Sequence, residues 1–251
     1  MVSPSPEEME LSRRLSLFFH REHLAAFPKV QEHNIRLTYW KMLASSPRTL
    51  ADSLEKLIAR LAGISGAEDE RWELEAIAAQ AAEIAIGTRS AGFLDALDGA
   101  MCELCKAGLP EKAVVFSEHR TTLEFLNALL SERGYGGKIV CCHGGSTGKK
   151  ALASFARGEA QILLATDGGA TGRDLSHCAL VINYDLPWNV QKIEQRISRC
   201  HRYGQKNDVH VINFIDPTNR ADRRLYDSLN KKLKKFDDVF GASETVLGQV
   251  K

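Results

Sequence analysis

The chain has 251 residues, a formal net charge of +1, and a composition that is 44% hydrophobic and 26% charged. Such a chain is long enough for one large domain or two small ones, and its composition excludes a disordered protein. The net charge indicates no particular partner. The charge is unevenly distributed, however, because residues 189–235 contain 12 Lys and Arg but only 5 Asp and Glu. This local excess predicts an anionic partner, with a solvated basic helix as the alternative.

The sequence has no apolar run long enough to span a membrane and no N-terminal stretch of the kind that directs secretion. We therefore expect a cytoplasmic protein, without membrane partners, whose six cysteines are reduced. Cys102 and Cys105 form a C-x-x-C pair, but no second pair completes a tetrahedral zinc site. The cysteines are accordingly predicted to be structural thiols, and no metal site is expected.

Residues 1–108 are predicted to be almost entirely helical. Apolar residues recur with helical spacing after Ser46 and Pro47, a pair that is typical of a helix start. Two further helices are predicted at about 70–86 and 90–107. Because no group of residues in this part of the chain would carry chemistry, we expect it to be an accessory segment.

The pattern changes in residues 109–251, for which a separate domain with a C-terminal helix is predicted. Five short, mostly continuous apolar segments are typical of strands buried on both faces of a parallel sheet. They are residues 112–117, 138–143, 161–166, 179–185 and 209–215. Helices are predicted between them at about 119–133, 148–157 and 190–203. This alternation favours an α/β fold, in which ligands bind beyond the carboxyl ends of the strands.

The segment IEQRISRCHRYGQK, residues 193–206, places an arginine at every third position. If the helix continues through this segment, Gln195, Arg199 and Arg202 share one face. Arg196 then lies to the side of that face, where it packs or pairs locally. Arginine stays charged and offers a planar fork of donors that suits phosphate oxygens. The shared face therefore predicts contact with a triphosphate, and an arginine stripe that simply faces solvent is the alternative.

A second candidate is the glycine-rich segment ATDGGATGRDL, residues 165–175, which follows the third predicted strand. Glycines allow backbone N–H groups to turn toward an anion, and Thr166 and Thr171 can add hydroxyl donors. Asp167 and Asp174 are expected to position a neighbouring arginine or a ribose hydroxyl. The alternative is a surface turn rich in Gly and Asp.

The segment HGGSTGKK, residues 143–150, does not complete a phosphate-binding loop. His143 stands where G-x-x-x-x-G-K-[ST] requires its first glycine, and Lys150 stands where it requires the magnesium-binding hydroxyl. The chain also has no acidic box that would compensate for the missing magnesium ligand. We therefore reject a complete nucleotide site here, while contact with a phosphodiester backbone stays open.

Taken together, residues 112–215 resemble the second RecA-like lobe of superfamily-two helicases, and in particular the Swi/Snf-type ATPases with their bacterial RapA-like branch. Residues 112–130 resemble the motif that opens this lobe, 162–190 the fifth motif with its extension, and 195–205 the sixth motif. The ending Arg-x-x-Arg-Tyr-Gly-Gln is the most specific part, because its final Gly-Gln favours the Swi/Snf-type branch over DEAD-box enzymes. Residues 43–61 more weakly resemble the helical segment that joins the two lobes in bacterial members.

The resemblance implies a role for each matching residue. Arg199 and Arg202 match the arginine pair that reaches the ATP phosphates, and they are the expected catalytic residues. The expected nucleotide-binding residues are Gln195, Gly172 and Asp174. Nucleic-acid contacts are expected from Thr166, Gly168, Gly169, His143, Gly144 and Trp188.

The resemblance covers only one of the two lobes of such an enzyme. The phosphate loop and the acidic magnesium-binding box of the family belong to the first lobe, and this sequence contains neither. ATP with Mg²⁺ is therefore expected to bind mainly to a first lobe, in the same polypeptide or in a separate subunit, so that this chain alone is inactive. The resulting hypothesis is the second motor lobe of an ATP-dependent double-stranded-DNA translocase, with residues 1–108 as a helical interlobe or accessory segment. An RNA-acting helicase lobe and a non-catalytic nucleic-acid-binding adaptor are the alternatives.

Overall fold

The computed structural model of the protein describes residues 3–21, 23–27, 32–84, 86–187, 189–215 and 227, and for 32–37 it describes the backbone alone. The chain divides into two compact units, Pro4–Ala91 and a unit that begins at Gly92. No helix among the described residues is both long enough and apolar enough to cross a membrane. The predicted C-terminal helix lies outside the described residues.

The first unit is helical, as the sequence predicts. Its helices are α1 (Pro6–Phe19), α2 (Glu32–Ser45), α3 (Pro47–Leu61), α4 (Glu68–Glu83) and the first turn of α5 (Thr88–Lys106). Helix α3 begins at Pro47 directly after Ser46, which confirms the predicted start. Leucines spaced along its inner face are fully buried against side chains of α1 and α4. The core of this unit therefore follows from the helical periodicity of its apolar residues.

Most of helix α5 belongs to the second unit. Phe93, Leu97 and Leu104 are buried in one cluster with side chains of the strands. Because these residues form part of the core of the sheet, the compact division falls between Ala91 and Gly92, earlier than the predicted boundary at 108/109.

The second unit is built on a parallel sheet of five strands. These are β1 (Ala113–Phe116), β2 (Ile139–Cys142), β3 (Ile162–Ala165), β4 (Leu180–Asn183) and β5 (His210–Asn213). They pair in the order β2-β3-β1-β4-β5. Strands β1, β3 and β4 are buried along their whole length, as expected for strands covered on both faces. Each strand lies within a predicted apolar segment, so the predicted α/β fold is confirmed.

Helices cover both faces of this sheet. They are α6 (Arg120–Leu130), which continues into a π-helical turn at Ser131–Tyr135, α7 (Gly145–Arg157) and α8 (Val190–Ile197). Val115 of β1 lies in one buried cluster with leucines of α6, whereas its neighbour Val114 lies in another with Phe155 of α7. This alternation follows from the two-residue period of a strand and places α6 and α7 on opposite faces.

Helix α8 is shorter than predicted. It ends at Ile197 rather than near residue 203, and the chain continues in turns. Cys200 is fully buried in the core of the sheet, and the carbonyl of Arg199 accepts the N–H of Leu175 at 3.0 Å. These tertiary contacts redirect the chain. The prediction that Gln195, Arg199 and Arg202 share one helix face is therefore wrong.

Candidate functional site

Polar residues that follow four of the strands lie at one edge of the sheet. Ser117 follows β1, His143 follows β2, Thr166 follows β3 and Asp185 lies two residues after β4. Because all five strands are parallel, their carboxyl ends lie on the same side of the unit, which is where ligands bind in folds of this type.

Arg196 lies at the centre of this edge, where it both packs and pairs locally, as predicted. Its side chain is 1% exposed. Nε and Nη2 donate to the two carboxylate oxygens of Asp167 at 2.6 and 3.1 Å. Nη1 donates to Asn183 Oδ1 at 3.1 Å and to the carbonyl of Asp185 at 2.8 Å. The guanidinium also lies 5.3 Å from the ring centre of Phe116, so a buried charge is fully paired.

Asp185 extends this set of contacts to β1. Its carboxylate accepts hydrogen bonds from the hydroxyl of Ser117 at 2.5 Å and from the N–H of Glu118 at 2.8 Å. Arg196 and Asp185 together therefore connect the residues that follow β1, β3 and β4. Asp167 holds an arginine, as the sequence analysis expects, and that arginine is Arg196.

The glycine-rich segment passes directly over the end of β2. A Cβ atom on Gly169 would lie only 1.9 Å from the carbonyl oxygen of Cys142. The Cys142 thiol donates to the carbonyl of Gly169 at 3.2 Å, and the hydroxyl of Thr166 accepts the N–H of Gly169 at 3.1 Å. Gly172 adopts a φ of +68°, which favours glycine, whereas Gly168 is exposed in open space. Close packing thus requires Gly169, and Gly168 stays accessible.

The two arginines of the expected catalytic pair differ in environment. Arg199 is half-buried, and its Nη1 donates to the carbonyl of Ala170 at 2.6 Å. Its Nε is buried without a partner among the described residues. This burial lowers the pKa of the Arg199 guanidinium, and the nearby carboxylate of Asp167 opposes the shift. Arg202, in contrast, is exposed. Both side chains therefore retain donors that an anion can use.

Asp174 lies close to Arg202. Its carboxylate accepts the N–H of Ser176 at 3.0 Å, and this hydrogen bond is the main reason that its pKa lies below the ordinary value, with Arg202 as a smaller cause. Asp174 is exposed and stays ionised at neutral pH. The structure thus places Asp174 near Arg202, whereas Asp167 pairs with Arg196.

The remaining predicted residues lie around this edge. Gln195 is exposed on α8. His143 has a buried Nδ1 without a partner among the described residues, and burial, followed by the charge of Arg120, lowers the pKa of its ring. Gly144, with a φ of +99°, precedes the first turn of α7. Trp188 lies outside the described residues.

The central position of Arg196 was not predicted from the sequence, although one signal was present. Ile193 is an apolar residue of the predicted helix and is buried in the structure, and Arg196 follows it by three residues, so the two are neighbours on the helix surface. A charged residue next to a buried stripe requires a carboxylate partner, and Asp167 and Asp185 both follow buried strands. No group of three or more potential metal-ligating side chains occurs in the described part of the chain. All six cysteines are free thiols.

Comparison with known proteins identifies the domain. Residues 97–204 match the family described as "Helicase conserved C-terminal domain". This segment is similar to helicase C-terminal domains. Its first β-strand, its glycine-rich segment and the arginines Arg196, Arg199 and Arg202 all lie within the matched residues, so the family match and the geometric site coincide.

Three curated relatives align with parts of the chain. The uncharacterized ATP-dependent helicase YqhH of Bacillus subtilis is 35% identical over 57% of this chain and 25% of its own length. The ATP-dependent RNA helicase FAL1 of Mycosarcoma maydis is 33% identical over 46% and 29%. The RNA polymerase-associated protein RapA of Vibrio vulnificus is 32% identical over 60% and 16%. The chain thus spans less than a third of the length of these relatives.

A solved structure shares the fold of the chain. The C-terminal part of the Fun30 ATPase domain matches with a TM-score of 0.54 and 15% identity, over 90% of this chain and 86% of that one. The parallel, RecA-like sheet and its preceding helical segment are thereby confirmed. With the family match, they also confirm the resemblance to the second lobe of Swi/Snf-type superfamily-two ATPases.

Replacing Arg196 with methionine is expected to destabilise the second unit strongly. The change leaves the Asp167 carboxylate unpaired, and breaking a buried ion pair costs about 3 kcal/mol or more. Urea denaturation followed by circular dichroism measures the loss. Arg157 makes a similar two-bond contact with Glu159, but both side chains are exposed. Arg157→Met is therefore the matched control, and equal losses for the two variants would contradict the central role of Arg196.

Gly169→Ala is expected to lower the free energy of unfolding by about 3 kcal/mol, because its methyl group would overlap the carbonyl of Cys142. Gly168→Ala places the same methyl group in open space, so a change within about 0.5 kcal/mol is expected. The same denaturation measurement compares the two neighbours. A small loss for Gly169→Ala would show that the close approach to β2 is not required.

Proposed function

We propose that the chain is the second motor lobe of an ATP-dependent double-stranded-DNA translocase, in which Arg199 and Arg202 are arginine fingers. One observation carries this proposal. Arg199 binds the carbonyl of Ala170, so the arginine segment and the glycine-rich segment contact each other at the carboxyl edge of the sheet. A motor needs this contact between its nucleotide-binding and nucleic-acid-binding segments.

The described side chains fit the triphosphate of ATP. Arg202 is exposed and Arg199 is half-buried, so both guanidinium groups are proposed to donate to phosphate oxygens. In the proposal Gln195, Gly172 and Asp174 complete the nucleotide side. Bound ATP with Mg²⁺ supplies the phosphoryl group that is transferred to water. The arginines bind the phosphates, orient them and offset the negative charge that develops on them.

The nucleic-acid side is proposed to lie along the first turns after β2 and β3. Gly168 is exposed, and Gly144 precedes helix α7, whose first N–H groups have no acceptor within the helix. His143 offers an Nδ1 without a partner among the described residues. Backbone contacts are accordingly assigned to Thr166, Gly168, Gly169, His143, Gly144 and Trp188.

Other parts of the enzyme are proposed to come from outside this chain. A first RecA-like lobe, in the same polypeptide or in a separate subunit, is assigned the phosphate loop and the acidic magnesium-binding box. The helical segment that precedes the sheet is proposed to join or accompany the two lobes. The six free cysteines support a cytoplasmic location.

Two alternatives follow from specific observations. FAL1 is described as an RNA helicase, so an RNA-acting lobe is the second candidate. The Gly-Gln ending of the sixth motif favours the DNA-acting, Swi/Snf-type branch. A non-catalytic adaptor would not need to retain Gln195, Arg199 and Arg202 together, so their presence favours an enzyme.

ATP hydrolysis by the complete two-lobe enzyme tests the proposal directly. Duplex DNA is expected to stimulate hydrolysis at least tenfold more than RNA of equal length, because we propose that the residues after β2 and β3 bind the backbone of duplex DNA. The chain alone is expected to hydrolyse ATP negligibly, since half a cleft cannot position the phosphates. Stronger stimulation by RNA would favour the second candidate, and rapid hydrolysis by the chain alone would contradict the two-lobe proposal.

Arg202→Ala in the two-lobe enzyme is expected to reduce kcat at least a thousandfold, as the loss of an arginine finger does, with little change in duplex affinity. Hydrolysis assays and fluorescence anisotropy of labelled DNA measure the two effects. Arg157→Ala removes an exposed arginine far along the sequence from this segment and serves as the control. If the chain is instead an adaptor that binds through this face, duplex affinity falls and its dependence on salt becomes weaker.

A further inference from the structure

The position of Arg202 requires an explanation beyond helix α8. Arg202 lies five residues after the end of the helix, is exposed, and is followed by Tyr203, which is fully exposed. A long side chain on an unsupported loop would lose much conformational entropy on binding a phosphate. Some other group must therefore fix the backbone that carries it.

Gln205 makes the contacts that fix this backbone. Its side-chain Nε2 donates to the carbonyl of Cys178 at 3.2 Å and to the carbonyl of Cys200 at 3.4 Å. Its Oε1 accepts the N–H of Asn207 at 3.1 Å. Cys178 and Cys200 are both fully buried in the core of the sheet. One half-buried amide thus connects the chain on both sides of Arg202 to the rigid part of the unit.

The backbone of Gln205 closes the turn itself. Its N–H donates to the carbonyl of Arg202 at 2.9 Å, so residues 202–205 form a four-residue turn. Gly204, at the third position, has a φ of +102°, as a type II turn requires. Tyr203 and Gly204 lie at the tip of this turn and Arg202 and Gln205 at its base, where Arg202 is exposed and the Gln205 side chain binds the core.

We propose that Gln205 is a positioning residue, which holds the turn of residues 202–205 on the core so that Arg202 is presented in a fixed geometry. This inference rests on the proposed function of Arg202. Gln205 itself touches neither phosphate nor nucleic acid in this assignment. It acts through backbone carbonyls, so its effect depends on a donor at Nε2 rather than on charge.

Gln205→Met tests the inference, because methionine has a similar length but no donor or acceptor of comparable strength. Hydrogen exchange of this chain is expected to be roughly tenfold faster at the amides of Gln205 and Asn207, the change that corresponds to the loss of about one hydrogen bond. Gln191→Met, at an exposed glutamine of α8, is the matched control and is expected to leave these amides unchanged. Unchanged exchange in Gln205→Met would overturn the inference.

Gln205→Glu provides a second measurement that simple loss of packing would not affect. The ionised carboxylate would face two carbonyl oxygens, which raises its folded-state pKa above the ordinary value of about 4.3. The stability of this variant relative to the wild type is therefore expected to be highest below about pH 4 and to fall as pH rises through that raised value. A pH-independent difference would count against the donor role.

Kinetics of the two-lobe enzyme separate this inference from the proposed function. If both hold, Gln205→Met lowers kcat roughly tenfold to a hundredfold, with KM for ATP and duplex affinity little changed. A second outcome is that Arg202→Ala leaves hydrolysis intact while Gln205→Met accelerates amide hydrogen exchange. The proposed function of Arg202 would then be wrong, and Gln205 would hold the turn without presenting a catalytic arginine. If Arg202→Ala abolishes hydrolysis and Gln205→Met does not change kcat, only the inference about Gln205 is overturned.

Discussion

The contact between Arg196 and Asp167 is the interaction on which the carboxyl edge of the sheet depends. Removing a guanidinium from water is costly, and the cost is offset here because four hydrogen bonds and an aromatic face surround the charge. Those acceptors come from the segment after β3, from the last residue of β4 and from the segment that follows it, and Asp185 continues the connection to the residues after β1. One arginine thereby fixes the relative positions of three polar segments. Without Arg196, the segment after β3 would lose its buried connection to the end of β4.

The fold followed from the sequence wherever local pattern and tertiary structure agree. The five strands were predictable because strands buried on both faces are continuously apolar, and the start of α3 was predictable because Pro47 follows Ser46. The end of α8 was not predictable, since nothing in the local sequence stops the helix at Ile197. The helix ends there because Cys200 is buried in the core and because the N–H of Leu175 donates to the carbonyl of Arg199. Neither contact can be read from the spacing of apolar residues along the helix.

The glycine-rich segment shows a similar limit. Its composition indicated anion binding by flexible backbone, but the structure assigns different reasons to its glycines. Gly169 is required because the carbonyl of Cys142 in β2 occupies the space that a side-chain methyl group would need. Gly172 is required because its backbone has a positive φ, which favours glycine. Thr166, expected as a phosphate donor, also accepts a hydrogen bond within the segment. Gly168 and Gly172 are exposed in open space, whereas Gly169 and Ala170 are buried, so sequence composition overestimated how much of this segment is available to a ligand.

The proposed motor function requires that the nucleic-acid side and the nucleotide side respond to each other. Two contacts supply a physical route: Arg196 binds Asp167 at the start of the glycine-rich segment, and Arg199 binds Ala170 three residues later. Both arginines belong to the sixth motif, and both acceptors belong to the fifth. A displacement of the glycine-rich segment on a phosphodiester backbone would therefore move the carbonyl that holds Arg199, while the buried Arg196 resists separation of the two segments. Under this proposal, the fifth and sixth motifs behave as one rigid element, and closure of the cleft brings both to their ligands together.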